Sequence, residues 1–203
     1  MRTFTVNDTQ LSRRSILAGL TTLTLLPSAA MALSDSQAEA LVTSLVQDIT
    51  TTINSGKSTT ALYAEFEKIF EKYADVPTIA RFSLGAAARS ASAADLKAYT
   101  NAYAGYIARK YGRRFQEFVG GKIIVKGAKT QKSLVVVAAT ADLRGQAPFA
   151  VNFQVSDRSG RAAFINVVIE GVDMLITERT EIGALLDSVG GSIPQLTAKL
   201  KTL

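Results

Sequence analysis

One change of period, at Gly120, constrains the fold more than any other feature of this chain. Before it, apolar side chains recur every three or four residues. After it they recur every second residue, until the helical spacing returns beyond Gly171. A helical half therefore precedes a strand half, no repeat or linker separates them, and helices close the chain.

In the helical half, Ser34 to Asn54 places Ala38, Leu41, Leu45, Ile49 and Ile53 on one face and stops at Ser55-Gly56. A second helix starts from an N-cap at Ser58 and runs through Leu62, Phe66, Ile69, Phe70 and Tyr73, until Asp75-Val76-Pro77 breaks it. A short third follows from Thr78 to Ala88. Ser92 with Asp95 forms a capping-box-like start for the longest helix, expected to reach about Val119. Its apolar face is aromatic: Leu96, Tyr99, Tyr103, Tyr106, Ile107, Tyr111, Phe115 and Phe118. Such a stripe is either plain core or the wall of a pocket, with apolar rings inside and hydroxyls at the rim.

Beyond Gly120, strands are expected from Lys122 to Lys126, Ser133 to Ala141, Phe149 to Ser156 and Ala163 to Glu170. In the third, Phe149, Val151, Phe153 and Val155 alternate with Ala150, Asn152, Gln154 and Ser156, so the large residues share one buried face. Each connection is too short for a crossover helix, which makes the sheet an antiparallel meander. Helices then run from Leu175 to Val189, stopped by Gly190-Gly191, and on to Leu203. The fold class is α+β: N-terminal helices and a long amphipathic helix packed on a curved four-stranded antiparallel sheet, with C-terminal helices. The cone so formed is filled by side chains or left as an apolar pocket.

The N-terminus is expected to be removed. Polar residues up to Ser12-Arg13-Arg14 lead into an apolar run from Ile16 to Leu26, Pro27 and Ser28 break it, and Ala30-Met31-Ala32 offers a small-x-small cleavage pattern. That run falls short of the roughly 18 to 20 residues that span a bilayer. Residues 1–32 therefore read as a cleaved export signal and 33–203 as one domain in the periplasm. Ser12-Arg13-Arg14-Ser15-Ile16-Leu17 resembles a twin-arginine leader; an ordinary Sec signal with two arginines is the alternative.

The chain has no His and no Cys, which removes the usual zinc, copper, haem and iron-sulfur ligand sets and every Ser-His or Cys-His nucleophile. Catalysis would have to use carboxylates, Lys, Tyr or hydroxyls; no cofactor or metal is expected. Without residues 1–32 the chain loses three arginines and one aspartate, and its net charge falls from +6 to +4. That mild, scattered charge on an exported protein argues against a nucleic-acid partner. Glu170 and Asp173 could form an acid/base pair, but a helix cap and a strand end account for them more simply.

Four stretches together resemble the soluble periplasmic phospholipid shuttle of the Mla (maintenance of lipid asymmetry) pathway, also described as the toluene-tolerance auxiliary component. They are Phe164-Ile165-Asn166-Val167-Val168-Ile169-Glu170-Gly171-Val172; Thr177-Glu178-Arg179 leading into Ile182-Gly183-Ala184-Leu185-Leu186; Leu196 to Leu200; and Ile79-Ala80-Arg81 followed by Leu84-Gly85. The Tyr111 region matches the long helix of that family. This chain departs from the family in lacking the Trp residues often found after Leu-Gly and entering the last strand, and in carrying Asn166 and Asp173 where Asp and Ser are common.

The resemblance implies a non-enzymatic carrier whose apolar cone takes phospholipid acyl chains. Candidate lining residues are Tyr103, Ile107 and Tyr111 on the long helix, Val135 and Val137 on the second strand, Phe149, Val151, Phe153 and Val155 on the third, and Val168 on the fourth. Its implied partners are an inner-membrane ABC-transporter complex with a lipid-binding module and an outer-membrane lipoprotein complex; the candidate docking residues are Arg81, Lys110, Arg113 and Arg114, the alternatives being a fold-holding ion pair for Arg81 and a solvated helix face for the other three. The competing readings are a small exported isomerase- or hydrolase-like enzyme on the same fold, and a binding adaptor with a filled core.

Overall fold

Apolar spacing between residues 35 and 115 becomes four helices. A computed structural model describes residues 32–115 and 118–203, together with Thr3, and gives Phe115 by its backbone alone. The leader expected over residues 1–32 lies, but for Thr3 and Ala32, outside the described residues. Helix α1 (Asp35–Ile53) opens on a capping box, in which the Ser34 hydroxyl accepts from the Gln37 amide and the Gln37 side chain accepts from the Ser34 amide. α2 (Thr59–Tyr73) is capped by Ser58.

α3 (Val76–Leu84) begins two residues earlier than the sequence suggests. Pro77 sits in its first turn, where a missing N–H costs nothing, and Asp75 caps it by accepting from the Thr78 amide at 3.2 Å. The proline thus starts this helix rather than merely ending the previous one. A 3-10 turn (Gly85–Arg89) follows, and α4 (Ala93–Phe115) completes the helical half.

The strand half is a single sheet in which consecutive strands are neighbours and every pair is antiparallel: β1 (Lys122–Gln131), β2 (Leu134–Asp142), β3 (Phe149–Ser156), β4 (Ala163–Ile169) and β5 (Val172–Asp173). Five strands replace the four expected. β5 has two residues, too few for a period to show, and is folded back by Glu170 and Gly171, both at positive φ. β1 continues to Gln131 through a bulge after Val125 and reverses at Lys132-Ser133, with Lys132 at φ 56. The strand end expected at Lys126 is the bulge itself, and pairing resumes at Gly127. α5 (Met174–Asp187) and α6 (Ile193–Leu200) close the fold. Among the described residues no helix is long and apolar enough to cross a membrane.

All the large inward residues of the sheet face the helices. Val135, Val137, Ala139 and Ala141 of β2 and Val151, Phe153 and Val155 of β3 are buried in one cluster with α1, α3, α4, α5 and α6. α1 lies along β1 and β2, α3 and α5 lie against β4, and α4 packs on α2, α3 and α6 while turning its tyrosines into the same cluster. Phe164 ties the layers, with its ring 6.1 Å from Phe70 of α2 and 6.3 Å from Phe153. Arg161 locks the end of α2 to β4, its guanidinium donating to the carbonyls of Glu71, Lys72 and Ala74.

Candidate functional site

Nine of the ten candidate lining residues converge on one layer. Tyr103, Ile107, Val135, Val137, Val151, Phe153 and Val155 are buried members of the core cluster, and Tyr111 and Phe149 pack against it. Strand register explains the agreement: Val135 stands opposite Val155, Val137 opposite Phe153 and Ala139 opposite Val151, so their side chains share one face. Val168 is the exception. It pairs with Asn152, which puts it on the outer face, and the inward residues of β4 are its neighbours Val167 and Ile169. The near-continuous apolar run of β4 hides its phase, and a one-residue error in phase reverses the face.

The layer is closed by its own side chains, with Tyr103, Val137 and Val155 at 0% exposure. Two surface clefts lie elsewhere. One is a small notch between the end of α1 and the start of β1, and the other a shallow trough of about 330 Å³ on the outer face of the sheet. Neither is lined by the candidate residues.

Beside the apolar layer runs a polar node that sequence reasoning did not single out. Lys110 on α4 reaches both Glu178, at 2.7 Å, and Glu181 on α5. Tyr111 donates to Glu178 at 2.5 Å and Tyr106 to Glu181 at 2.5 Å. Positions 106, 110 and 111 share one side of α4, and 178 and 181 are three apart on α5, so one cation and two phenols face two carboxylates. Burial pushes the Tyr106 and Tyr111 hydroxyls well above their usual range, and the carboxylates that accept from them push further the same way. Burial also raises Glu181, but the bonds from Lys110 and Tyr106 outweigh it and hold its carboxyl below the ordinary value.

The deep end of the node is under-satisfied. Glu178 is 3% exposed, and its second carboxylate oxygen has no hydrogen-bond partner; the Tyr103 hydroxyl, fully buried, has none either. Tyr99, next along the stripe, shares a 2.7 Å hydrogen bond with Ser83 of α3. The ring centroids of Tyr99, Tyr103 and Tyr106 step along α4 at 5.8 and 6.3 Å. The tyrosine stripe is therefore apolar on one flank and hydrogen-bonding on the other.

The candidate docking residues are dispersed rather than clustered. Lys110 is engaged inside the node and is not part of a solvated face. Arg113 donates to the Leu203 carbonyl at 2.9 Å, as Arg109 does to the Leu200 carbonyl at 2.6 Å, so both brace the C-terminal end of α6. Arg114 and Arg81 are exposed and make no hydrogen bond or ion pair among the described residues. Runs of basic residues look alike in sequence whether their charge meets water or a neighbouring helix end.

Motifs far apart in sequence meet between α3 and α5. Gly85 stands at φ 60, and a Cβ there would lie 3.2 Å from the Arg179 guanidinium, which also stacks 5.1 Å from the Phe82 ring. Glu170 and Asp173 are occupied by backbone. Glu170 accepts from the Ala150 amide, and Asp173 caps α5 through the Ile176 amide while its other oxygen accepts from Asn166. Asn166 in turn accepts from the Leu175 amide at 3.0 Å. The carboxamide here joins β4 to the start of α5, and both carboxylates serve the local backbone.

The fold and its core have counterparts among known proteins. A family model for the MlaC protein matches residues 41–202. Among solved structures, the chain is similar to the phospholipid-binding protein from Ralstonia solanacearum in complex with a phospholipid, at 18% identity and a TM-score of 0.68, over 80% of this chain and 98% of that one.

Proposed function

The chain belongs to the MlaC family, and on that premise we propose that it is a non-enzymatic carrier that holds phospholipid by its acyl chains between the tyrosine face of α4 and the inner face of the sheet. One observation carries the reading: the inward residues of β2 and β3 and the stripe Tyr99, Tyr103, Ile107 belong to one uninterrupted apolar cluster. Acyl chains entering there replace side-chain contacts with lipid contacts. At about 25 cal/mol per Å² removed from water, two long chains contribute more than ~10 kcal/mol, enough to part packed helices without a headgroup clasp. That a relative of the same fold is a phospholipid-binding protein in complex with phospholipid supports this.

In the cell, the carrier works in the periplasm after removal of residues 1–32. It takes lipid to or from an inner-membrane ABC-transporter complex bearing a lipid-binding module and an outer-membrane lipoprotein complex. The carboxylates of the polar node serve structure: each accepts from Lys110 and from a tyrosine, so neither stands as a free base. The test is to purify the protein gently, denature it and analyse the organic extract by mass spectrometry. About one phospholipid per chain, with mixed headgroups, is the expected result. An empty extract contradicts the proposal.

A further inference from the structure

The helices cover only the inner face of the sheet, and the outer face at β1 carries a charge pattern that the lipid cavity does not use. Lys122, Lys126, Lys129 and Lys132 are all exposed along β1 and its turn, and none makes a hydrogen bond or ion pair among the described residues. Register puts Lys122 and Lys129 on the outer face, and Lys126 lines the trough there. Lys129 stands opposite Val136, Lys126 is the extra residue of the bulge opposite Ala138, and Lys132 occupies the turn. Lys126, Lys129, Gln131, Val136, Ala138 and Asn152 line the trough of about 330 Å³, and Ile124, 42% exposed, lies between the lysines.

Apart from Asp142, carboxylates are kept away from this edge. Asp142 faces Lys122 across the strands, and Asp35 is turned to the other side, where it accepts from Thr130. Glu170 and Asp173 lie at the far edge of the sheet, beyond β4. The strip is also all lysine and free of aromatics. Protein interfaces are enriched in Arg and aromatic residues and depleted in Lys, whereas flexible ammonium groups suit a diffuse field of anionic headgroups. Lysines on an edge strand also deter strand pairing, but that role does not require an exposed isoleucine between them or a trough lined by two of them.

We propose that the outer face of the β1–β2 hairpin docks the protein on an anionic phospholipid bilayer. This surface is opposite to the acyl-binding layer and acts whether or not the interior holds lipid, so the proposal does not depend on the carrier reading. Each lysine brought to an anionic surface contributes about fivefold in partitioning, within roughly a Debye length.

The experiment measures partitioning of the full chain onto phosphatidylcholine vesicles and onto vesicles in which about a third of the lipid is phosphatidylglycerol, at low and high salt. Residues 1–32 are common to all variants, so differences between variants report the substituted side chains. Wild type binds the phosphatidylglycerol vesicles more tightly, and high salt removes the difference. Lys126→Gln with Lys129→Gln lowers that binding about 25-fold, and the corresponding Glu pair lowers it further. Lys97→Glu with Lys201→Glu, which changes net charge as much as the Glu pair but away from the strip, changes it less than about threefold. Thermal melts confirm that each variant is folded. Equal binding to both vesicle types, or a loss as large in the Lys97/Lys201 variant, overturns the proposal; the first would leave an acidic protein surface as the occupant.

Discussion

Phe153→Glu is expected to leave the protein without bound phospholipid and close to unfolding. Phe153 is buried on the inner face of β3, stacked edge-on against Phe164 and facing Val137 across the strands. Removing the ring alone costs about 3 to 5 kcal/mol, and a buried carboxylate with no partner adds several more, against a total stability of roughly 5 to 15 kcal/mol. Two companions keep the test decisive. Phe153→Leu, which retains most of the volume, is expected to fold and to lose part of its lipid. Val168→Lys, on the outer face opposite Asp173, is expected to keep both fold and lipid. Lipid per folded chain is the readout, and a folded Phe153→Glu variant at wild-type occupancy would remove this residue from the cavity.

Lys110→Met should destabilise the protein by about 3 kcal/mol, lowering the melting temperature by about 6 to 12 °C for a domain of this size. The loss falls mainly on Glu178, which is buried and keeps only the Tyr111 hydroxyl once the ammonium is gone. Glu181 is nearly half exposed, and water screens it. Because the cost is that of an unpaired buried charge, adding Glu178→Gln to Lys110→Met should recover more than half of it. Lys110→Met melting at the wild-type temperature would mean that the node is screened by solvent and does not fasten α4 to α5.

These residues also mark how far the sequence could be read. The period change at Gly120 carried the α+β architecture, and strict alternation in β3 carried the inward face, because both depend on local spacing alone. β4 offered no alternation, so Val168 was assigned to the wrong face while Val167 and Ile169 point inward. The Lys110–Glu178–Glu181 node could not be seen, since its partners are 68 and 71 residues apart and each lies in an ordinary helical charge pattern. The same holds for Arg113: nothing local says that its guanidinium meets the last carbonyl of the chain rather than a partner. Lys126 and Pro77 misled for a different reason. Each ends an element in one context and belongs inside one in another, as a bulge or as a first helical turn.

The most direct test of the central claim is to load the protein with a phospholipid bearing a photoreactive diazirine near the end of one acyl chain, irradiate it, and map the adducts by peptide mass spectrometry. The account predicts labelling of the α4 stripe around Tyr103 and Ile107 and of the inward residues Val137, Val151 and Phe153. Labels confined to the outer-face trough around Val136, Ala138 and Asn152, or the absence of any stoichiometric adduct, would contradict it.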